Sequence, residues 1–261
     1  MKIVLVVDET PFYIPKFVED LRSGLHPNDQ LEAVFIVKTI PDKSNLEKYL
    51  IQNWKQMRFR ELVYFGWKKI KHDFINSVLG GSVGGTFYSV EAFCKAHAIP
   101  AHHLHKTIND AASLAAISNY EPDAIVSSNS LFFGKKILSL PKLGCLNRHS
   151  SLLPSYGGLW PALHAIAHGE TEVGVSVHTM TPEIDKGTVL VQEVVPISKG
   201  EPLTSIYARC FVQSVPAVLS ALEKLRNGGG EGVQTDREAS YYSFPTDDDW
   251  RHFRANGGRF S

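Results

Sequence analysis

The start of the chain places a helical segment between two short apolar runs, and this order constrains the fold more than any other feature. The runs are Lys2–Val7 and Leu31–Val37, and between them Phe17, Leu21 and Leu25 recur at helical spacing. A strand, a helix and a second strand in this order imply two parallel strands joined by a right-handed crossover. We therefore predict an α/β protein with a Rossmann-like, mostly parallel sheet flanked by helices.

Length and charge narrow the class of protein further. The 261 residues are enough for one large domain with a short C-terminal appendage. Lysine plus arginine and aspartate plus glutamate each number 27, so no overall basic field indicates nucleic acid or an anionic membrane as a partner. No apolar stretch approaches the roughly 20 residues of a membrane span, and no signal-peptide cleavage site follows the first apolar run. These features predict a cytoplasmic protein.

The segment Asn147-Arg-His149 and the later Asp185 carry the groups needed to move a carbonyl-level carbon onto an amine. Residues i and i+2 of a strand point to the same face, so Asn147 and His149 would enter one pocket. The amide N–H can donate to an oxyanion, and the imidazole can accept the proton of an attacking amine. Asp185 should face His149, fix its tautomer and raise its pKa. Either Asn147 or His149 alone would indicate a helix cap or a core histidine, whereas the combination indicates a catalytic site.

Several segments around this group follow the order and spacing of a known family. They are Gly144–Gly158, Ala165–Glu170, Gly174–Met180, Ile184–Gly187 and Val189–Gln192. They resemble the folate-dependent formyltransferases, the family of methionyl-tRNA formyltransferase, glycinamide ribonucleotide transformylase and the sugar-nucleotide N-formyltransferases. The family signature is Asn-x-His on a strand, a Ser-Leu-Leu-Pro-type turn and a later Asp.

The resemblance implies a fold, a co-substrate and a catalytic group. The fold is the formyltransferase fold, and the formyl donor is N10-formyltetrahydrofolate. The catalytic residues are Asn147, His149 and Asp185. Residues 1–200 would form the catalytic domain, and residues 201–261 a C-terminal helix and tail packed on it.

The same resemblance places the pterin of the donor. In the family the pterin lies against backbone groups of the segment after the preceding strand and of the loop before the catalytic Asp. Carried over to this chain, these are Asn129, Ser130, Leu131, Phe132, Phe133, Thr181, Pro182, Glu183 and Ile184. An apolar slot with backbone donors and acceptors suits a flat, amide-like heterocycle.

The approach of the amine substrate is expected along the turn after the signature. The candidate residues are Ser151, Tyr156, Gly157, Gly158 and Trp160. Glycines leave room for a ring, and the two aromatic residues offer flat faces on which a sugar can stack. The cations for a nucleotide diphosphate would come from the stretch Arg58–Lys71 or from Arg251, Arg254 and Arg259. His164 is a further candidate for this wall, whereas His178 is interpreted as packing or as supporting the site residues from behind.

The stretch 44–72 combines basic and aromatic residues, and two interpretations stay open for it. An amphipathic helix with a buried aromatic face and a solvated basic face is the preferred prediction. A phosphate-binding or nucleic-acid-binding surface is the alternative. His102-His-x-His105 lacks a partnering cysteine or carboxylate cluster, so we expect no metal site there.

The substrate that the resemblance favours is the primary amine of a 4-amino-4,6-dideoxy sugar linked to GDP or dTDP, formylated for a surface polysaccharide such as O-antigen lipopolysaccharide. Methionyl-tRNA formyltransferases carry a β-barrel domain after the catalytic core, and only residues 198–261 follow Ile197 here. Glycinamide ribonucleotide transformylases open with a glycine-rich phosphate-binding turn, which Asp8-Glu-Thr-Pro11 lacks. Formylation of methionyl-tRNA or of another small amine, and hydrolysis of formyltetrahydrofolate, stay open as alternatives. No nucleic-acid or membrane partner is expected, and a homodimer is compatible with the sequence.

Overall fold

The computed structural model describes residues 1–8, 13–37, 56–104, 107–229 and 231–261. Within these ranges the strands are β1 (Lys2–Asp8), β2 (Gln30–Val37), β3 (Ser82–Val83), β4 (Thr86–Phe87), β5 (Ala101–Leu104), β6 (Ala124–Ser128), β7 (Gly144–His149), β8 (Gly157–Gly158), β9 (Glu172–Thr179), β10 (Val189–Pro196) and β11 (Tyr241–Tyr242). The helices are α1 (Ile14–Gly24), α2 (Phe59–Val78), α3 (Val90–Ala96), α4 (Ala111–Ser118), α5 (Lys135–Leu138), α6 (Pro161–Ala167), α7 (Leu203–Arg226) and α8 (Asp247–Ala255).

The central sheet confirms the predicted fold class. Its strand order is β10-β9-β7-β6-β1-β2-β5, with parallel pairing from β7 to β5 and antiparallel pairing of β9 with both β7 and β10. The chain builds outward from β1 in both directions, first through β2 and β5 and then through β6 and β7. Ligands of open α/β sheets bind outside the carboxyl ends of the strands at such a reversal of order. The ends of β1, β6 and β7 therefore mark where a site should lie.

Both faces of the sheet are covered, which explains the unbroken apolar run of β1. Ile3 and Leu5 join a core with α1, α3 and α7, whereas Val4 and Val6 join a second core with α4 and α5 on the other face. A strand buried on both faces reads as a continuous hydrophobic run because neither set of alternating side chains meets water.

The C-terminal elements pack on this sheet. Helix α7 lies against β9, β10 and α1 and contributes side chains to the same core as Ile3. By length and composition α7 would also pass as a membrane-spanning helix, a property that core helices of globular proteins share. Helix α8 docks on α6 through the buried side chains of Trp250 and Phe253. The domain boundary at residue 200 stays a prediction.

The basic, aromatic stretch lies partly outside the described residues, and its described part contradicts the predicted burial of the aromatic face. The predicted helix is present as α2, but Phe59, Trp67 and Phe74 are between 55% and 79% exposed. The helix is anchored instead by Glu61, whose two carboxylate oxygens accept hydrogen bonds from Arg254 at 2.8 and 2.6 Å. This prediction was wrong because helical periodicity shows which residues share a face and not which face meets the core.

Candidate active site

Asn147 and His149 enter the site from the carboxyl end of β7, as strand alternation predicts. Asn147 lies opposite His178 in the antiparallel pairing of β7 with β9. The ring Nδ1 of His178 is 2.8 Å from the carbonyl oxygen of Thr179, which can only accept, so Nδ1 carries a proton. In the neutral ring Nε2 is then an acceptor, and it lies 3.2 Å from the amide nitrogen of Asn147. This bond orients the Asn147 amide and leaves its second N–H for a ligand.

The tautomer of His149 is fixed by the backbone of Tyr156 and not by Asp185. Its Nε2 donates to the carbonyl oxygen of Tyr156 at 3.1 Å. In the neutral ring the lone pair is then on Nδ1, and the nearest carboxylate oxygen, Oδ2 of Asp185, lies 3.9 Å from it. Burial lowers the pKa of His149, and the Asp185 charge and the Tyr156 carbonyl oppose this only in part. The expectation that Asp185 fixes the tautomer was therefore wrong, because the Tyr156 carbonyl does so. The Asp185 charge does raise the pKa of His149, as expected, but desolvation of the buried ring outweighs it and the pKa is lowered overall.

Asp185 lies between the two imidazoles and stays ionised. Its Oδ2 accepts the backbone N–H of Gly158 at 2.8 Å, and its Oδ1 is 3.6 Å from Nε2 of His178. Burial would raise the pKa of the Asp185 carboxyl, but the positive charge that His178 and His149 carry when protonated, together with the N–H of Gly158, holds it at about 2. A fixed negative charge beside His149 can stabilise the imidazolium that forms when this ring accepts a proton.

The backbone around this group is strained. Asp185, Tyr156 and Trp160 have φ values of 53°, 59° and 53°, in the left-handed region that non-glycine residues rarely adopt. Each such residue costs on the order of 1–3 kcal/mol, and such conformations cluster at functional sites where the surrounding structure enforces them. Three of the five non-glycine residues with positive φ in the described ranges lie around this group.

The predicted donor-binding residues line one cavity of about 240 Å³ beside this group. Of the nine residues, eight contribute to its wall: Asn129, Ser130, Leu131, Phe132, Phe133, Thr181, Glu183 and Ile184. Pro182 does not line it. The segment after β6 is held open by Asn109, whose side chain donates to the Phe132 carbonyl and accepts the Gly134 N–H. We call this space the donor cavity.

A second cavity of about 490 Å³ lies on the other side of His149. Its wall includes Asp8 at the end of β1, Tyr13 of the segment before α1, Phe65 of α2, and Tyr207 and Phe211 of α7. We call it the acceptor cavity. Both cavities are lined by a shared set, namely Asn129, Ser130, His149, Gly158 and Leu159. His149 is therefore accessible to two ligands at once.

The predicted wall of the amine substrate is only partly right. Gly158 and Trp160 line the acceptor cavity. Ser151, Tyr156 and Gly157 line neither cavity. Ser151 is buried and its carbonyl accepts from Ser176, because the turn folds back onto β9.

Tyr156 and Gly157 contact the C-terminal segment and lie outside the walls of both cavities. The Tyr156 hydroxyl donates to Glu170 at 2.9 Å, and its ring stacks on Tyr242 with centroids 5.6 Å apart. Gly157 is paired with Tyr241 in the two-stranded β8–β11 ladder. These contacts are made with Glu170 and with the C-terminal segment, which residue type alone did not show.

The predicted cation sources also lie elsewhere. Arg254 is bound to Glu61, and Arg251 pairs with Asp248. Arg259 and the cations of the stretch Arg58–Lys71 are absent from the described walls of both cavities. His164 is buried and hydrogen-bonded to the Ser243 carbonyl, so it does not line the amine site either.

The structure brings two further residues into the site. His178 was predicted to pack or to support the site residues, whereas Arg148 was missed as a site residue. His178 lines the donor cavity and orients Asn147, and only the register of β7 with β9 reveals it. Arg148 lines the acceptor cavity. An arginine inside a strand that is predicted to be buried was the available signal, since arginine is almost never fully buried unless it is paired.

We expect the acid limb of the kcat/KM–pH profile to lie below the ordinary histidine pKa of about 6.5. Burial lowers the pKa of His149, so the ring stays neutral and able to accept a proton into mildly acidic solution. Asp185→Asn removes a charge that favours the imidazolium, so the limb should move to still lower pH while the rate falls. Profiles of the wild-type protein and of Asp185→Asn with the same acceptor check this, because the ionisation of the acceptor amine is common to both. An acid limb at higher pH in Asp185→Asn than in the wild-type protein would contradict it.

Comparison with known proteins agrees with this geometry. Residues 89–222, about half of the chain, match the formyl transferase family. A methionyl-tRNA formyltransferase from Thermotoga maritima is 32% identical over 155 residues, which cover 59% of this chain and 49% of the relative. This chain thus spans about half the length of the curated relatives that it matches.

Solved structures match over a longer range at lower identity. A sugar N-formyltransferase from a Shewanella species has a TM-score of 0.59 at 16% identity, covering 98% of this chain and 88% of that one. An N-formyltransferase from Helicobacter canadensis, in complex with folinic acid and dTDP-3-aminofucose, has a TM-score of 0.55 at 14% identity, covering 98% of this chain and 81% of that one. At such identities the likeness shows the fold.

Proposed function

The chain belongs to the formyl transferase family, and we propose that it transfers a formyl group from N10-formyltetrahydrofolate to the primary amine of a nucleotide-linked amino-dideoxy sugar. One observation carries the proposal. The donor cavity and the acceptor cavity share His149 in their walls, so a formyl donor in one and an amine in the other would both lie next to this residue. Holding two reactants in one geometry supplies a large part of the barrier reduction of such a transfer.

The donor cavity fits the proposed co-substrate. Leu131, Met180 and Ile184 supply apolar walls, and the segments around Asn129 and Thr181 supply backbone donors and acceptors. A flat pterin with an amide-like edge requires this combination. When bound, N10-formyltetrahydrofolate supplies a formyl group at the oxidation level of a carboxylic acid.

The residues around the junction suit the proton and charge movements of the transfer. Nδ1 of neutral His149 can accept the proton that the amine loses as its nitrogen bonds to the formyl carbon, and Asp185 at 3.9 Å stabilises the resulting imidazolium. The imidazolium can return this proton to N10 as the bond between N10 and the formyl carbon breaks and tetrahydrofolate leaves. The free N–H of Asn147 can donate to the oxygen that gains negative charge. His178 keeps the Asn147 amide in the orientation that makes this possible.

The acceptor cavity favours a sugar nucleotide over a smaller amine. At about 490 Å³ it is larger than the donor cavity, and Trp160, Tyr207 and Phe211 give it flat apolar faces. Such faces stack on sugar rings and bases. The Helicobacter canadensis N-formyltransferase in complex with dTDP-3-aminofucose supports a 3-amino sugar as well as the 4-amino sugar expected from the sequence.

Methionyl-tRNA is the second candidate acceptor, because the curated relatives at 32–39% identity are methionyl-tRNA formyltransferases. The deciding experiment incubates the protein with N10-formyltetrahydrofolate and a panel of 3-amino and 4-amino dideoxy sugars linked to dTDP or GDP, with methionyl-tRNA as a separate arm. Mass spectrometry follows the formylated product. Formyl-methionyl-tRNA without any formylated sugar nucleotide would refute the sugar proposal. Tetrahydrofolate release that no acceptor stimulates would instead indicate a hydrolase.

We expect Ile184→Asp to weaken binding of 5-formyltetrahydrofolate by about 10–100-fold, because it places a charge on the apolar wall of the donor cavity. Ile184 is 53% exposed, so the fold should survive. Val194, also 53% exposed but on the outer strand β10, provides the matched control Val194→Asp. Calorimetry on both variants measures the effect, and equal affinities would place the donor elsewhere. Phe133 is unsuitable for this test because its side chain is buried in the core.

A further inference from the structure

Arg148 points to the face of the sheet opposite to Asn147 and His149, because successive side chains of a strand alternate. There it is only 8% exposed and lines the acceptor cavity. Its Nε donates to the hydroxyl of Ser214 at 2.6 Å, and its guanidinium carbon lies 3.9 Å from the centroid of the Phe211 ring. These contacts from α7 fix the orientation of the guanidinium without neutralising its charge.

The charge of Arg148 is incompletely matched. Its Nη2 is buried and finds no hydrogen-bond partner in the described part of the chain. Burial lowers the pKa of Arg148 to about 10, and Asp8 at the edge of the same cavity offsets this burial only in part. Buried charges in proteins are normally paired and hydrogen-bonded, so an anion supplied by a ligand would complete this site. Arg148 is also the only lysine or arginine among the described residues that line the cavity.

The position of Arg148 relative to His149 selects the kind of anion. Both side chains line the acceptor cavity but leave β7 on opposite faces, so a substrate must carry its amine and its anion on separate parts. An α-amino acid has both groups on one carbon and cannot span the two residues. A nucleotide sugar separates its amine from its diphosphate by the sugar ring. The planar donors of a guanidinium match phosphate oxygens in a bidentate arrangement.

We propose that Arg148 binds a phosphate group of the nucleotide part of the acceptor and so positions the sugar amine at His149. The inference rests on the proposed function and names the residue that would recognise the charged part of its substrate. Tyr207 and Phe211 border the guanidinium on α7, so the same wall provides both the charge and flat apolar faces. The site is made of the sheet and α7, and it involves none of the cations that the sequence singled out.

The test compares the wild-type protein with Arg148→Met and Arg148→Lys, using inorganic pyrophosphate, dTDP, GDP and thymidine as probes in calorimetry. Methionine suits the apolar surroundings, so Arg148→Met should fold, and unchanged 5-formyltetrahydrofolate binding verifies this. We expect Arg148→Met to lose about 30-fold or more of the affinity for dTDP or GDP and to lose pyrophosphate binding, with thymidine unaffected. Arg148→Lys should be intermediate because it keeps the charge and loses the bidentate geometry.

The control Arg251→Met removes the same charge from α8, where the side chain is 75% exposed, and should change none of these affinities. In turnover of an amino-sugar nucleotide, Arg148→Met should raise KM with little change in kcat. Unchanged diphosphate affinity in Arg148→Met would overturn the inference. If the wild-type protein still turns over an amino-sugar nucleotide in that case, the proposed function stands. Diphosphate binding that depends on Arg148, without turnover of any amino-sugar nucleotide by the wild-type protein, would instead refute the proposed substrate and leave the anion site.

Discussion

Formyl transfer should fall by about 10²–10³-fold when Asn147 is replaced by alanine, and at least as far when His149 is replaced. Asn147→Ala removes the N–H that faces the developing negative charge, and it also frees Nε2 of His178. His149→Ala removes the only imidazole that lines both cavities among the described residues. The measurement is kcat with both substrates saturating, and the release of tetrahydrofolate is the signal that is monitored.

The two losses should not add in the double variant, because both residues act on one transition state. His168→Ala is the matched control, since this exposed imidazole lies outside the walls of both cavities and should leave kcat unchanged. Binding of 5-formyltetrahydrofolate should persist in each variant and show that the fold is intact. Near-normal kcat in His149→Ala would refute the proton-accepting role proposed here.

Asp185→Ala should affect formyl transfer in two separate ways, because the carboxylate has two kinds of contact. The carboxylate supports His149 through charge and not through a hydrogen bond, at 3.9 Å, while its Oδ2 holds the N–H of Gly158 at 2.8 Å. Asp185→Asn keeps an oxygen for Gly158 and removes the charge. The difference between the Asn and Ala variants therefore separates the electrostatic contribution from the contribution to the shape of the junction.

Local patterns in the sequence were sufficient for the sheet and for predicting which segments line one cavity beside His149. Buried parallel strands read as continuous apolar runs, and strand alternation brings Asn147 and His149 to one face whatever the rest of the fold. The donor-binding segments directly follow or precede elements that the sequence marks clearly. Their positions relative to His149 are consequently set by short connections, and eight of the nine expected residues line the donor cavity.

The acceptor side was beyond local reasoning because distant elements assemble it. Its wall draws on the end of β1, on α2, on α7 and on Phe260 near the C-terminus. No spacing in the sequence shows that Arg148 meets Ser214 and Phe211, or that Arg254 is already bound to Glu61. The predicted cations were chosen by residue type, and the structure shows that the cation at the cavity is the buried one inside the signature segment.

Gly158→Ala should lower kcat/KM by about 100-fold or more, since misplacement of a catalytic group by about 1 Å can have that effect. Gly158 has a φ of 92°, and an added Cβ would lie only 2.1 Å from the carbonyl oxygen of Tyr242. Either the β8–β11 ladder must open or Gly158 must move, and in both cases its N–H leaves the Asp185 carboxylate. The melting temperature should fall as well, because an alanine at such a φ is strained whatever the space.

Gly157→Ala provides the control for this substitution. The Cβ added at Gly157 would meet its nearest neighbour, the carbonyl oxygen of Ser240, at 3.4 Å, and the side chain of Asp185 at 3.6 Å, both ordinary contacts. Activity and melting temperature should therefore remain close to wild type. If the two glycines served only to leave room for a sugar, Gly157→Ala and Gly158→Ala would raise the acceptor KM alike and leave kcat unchanged. A selective loss of kcat in Gly158→Ala would show that this glycine is needed because the C-terminal strand passes against it and fixes the carboxylate beside His149.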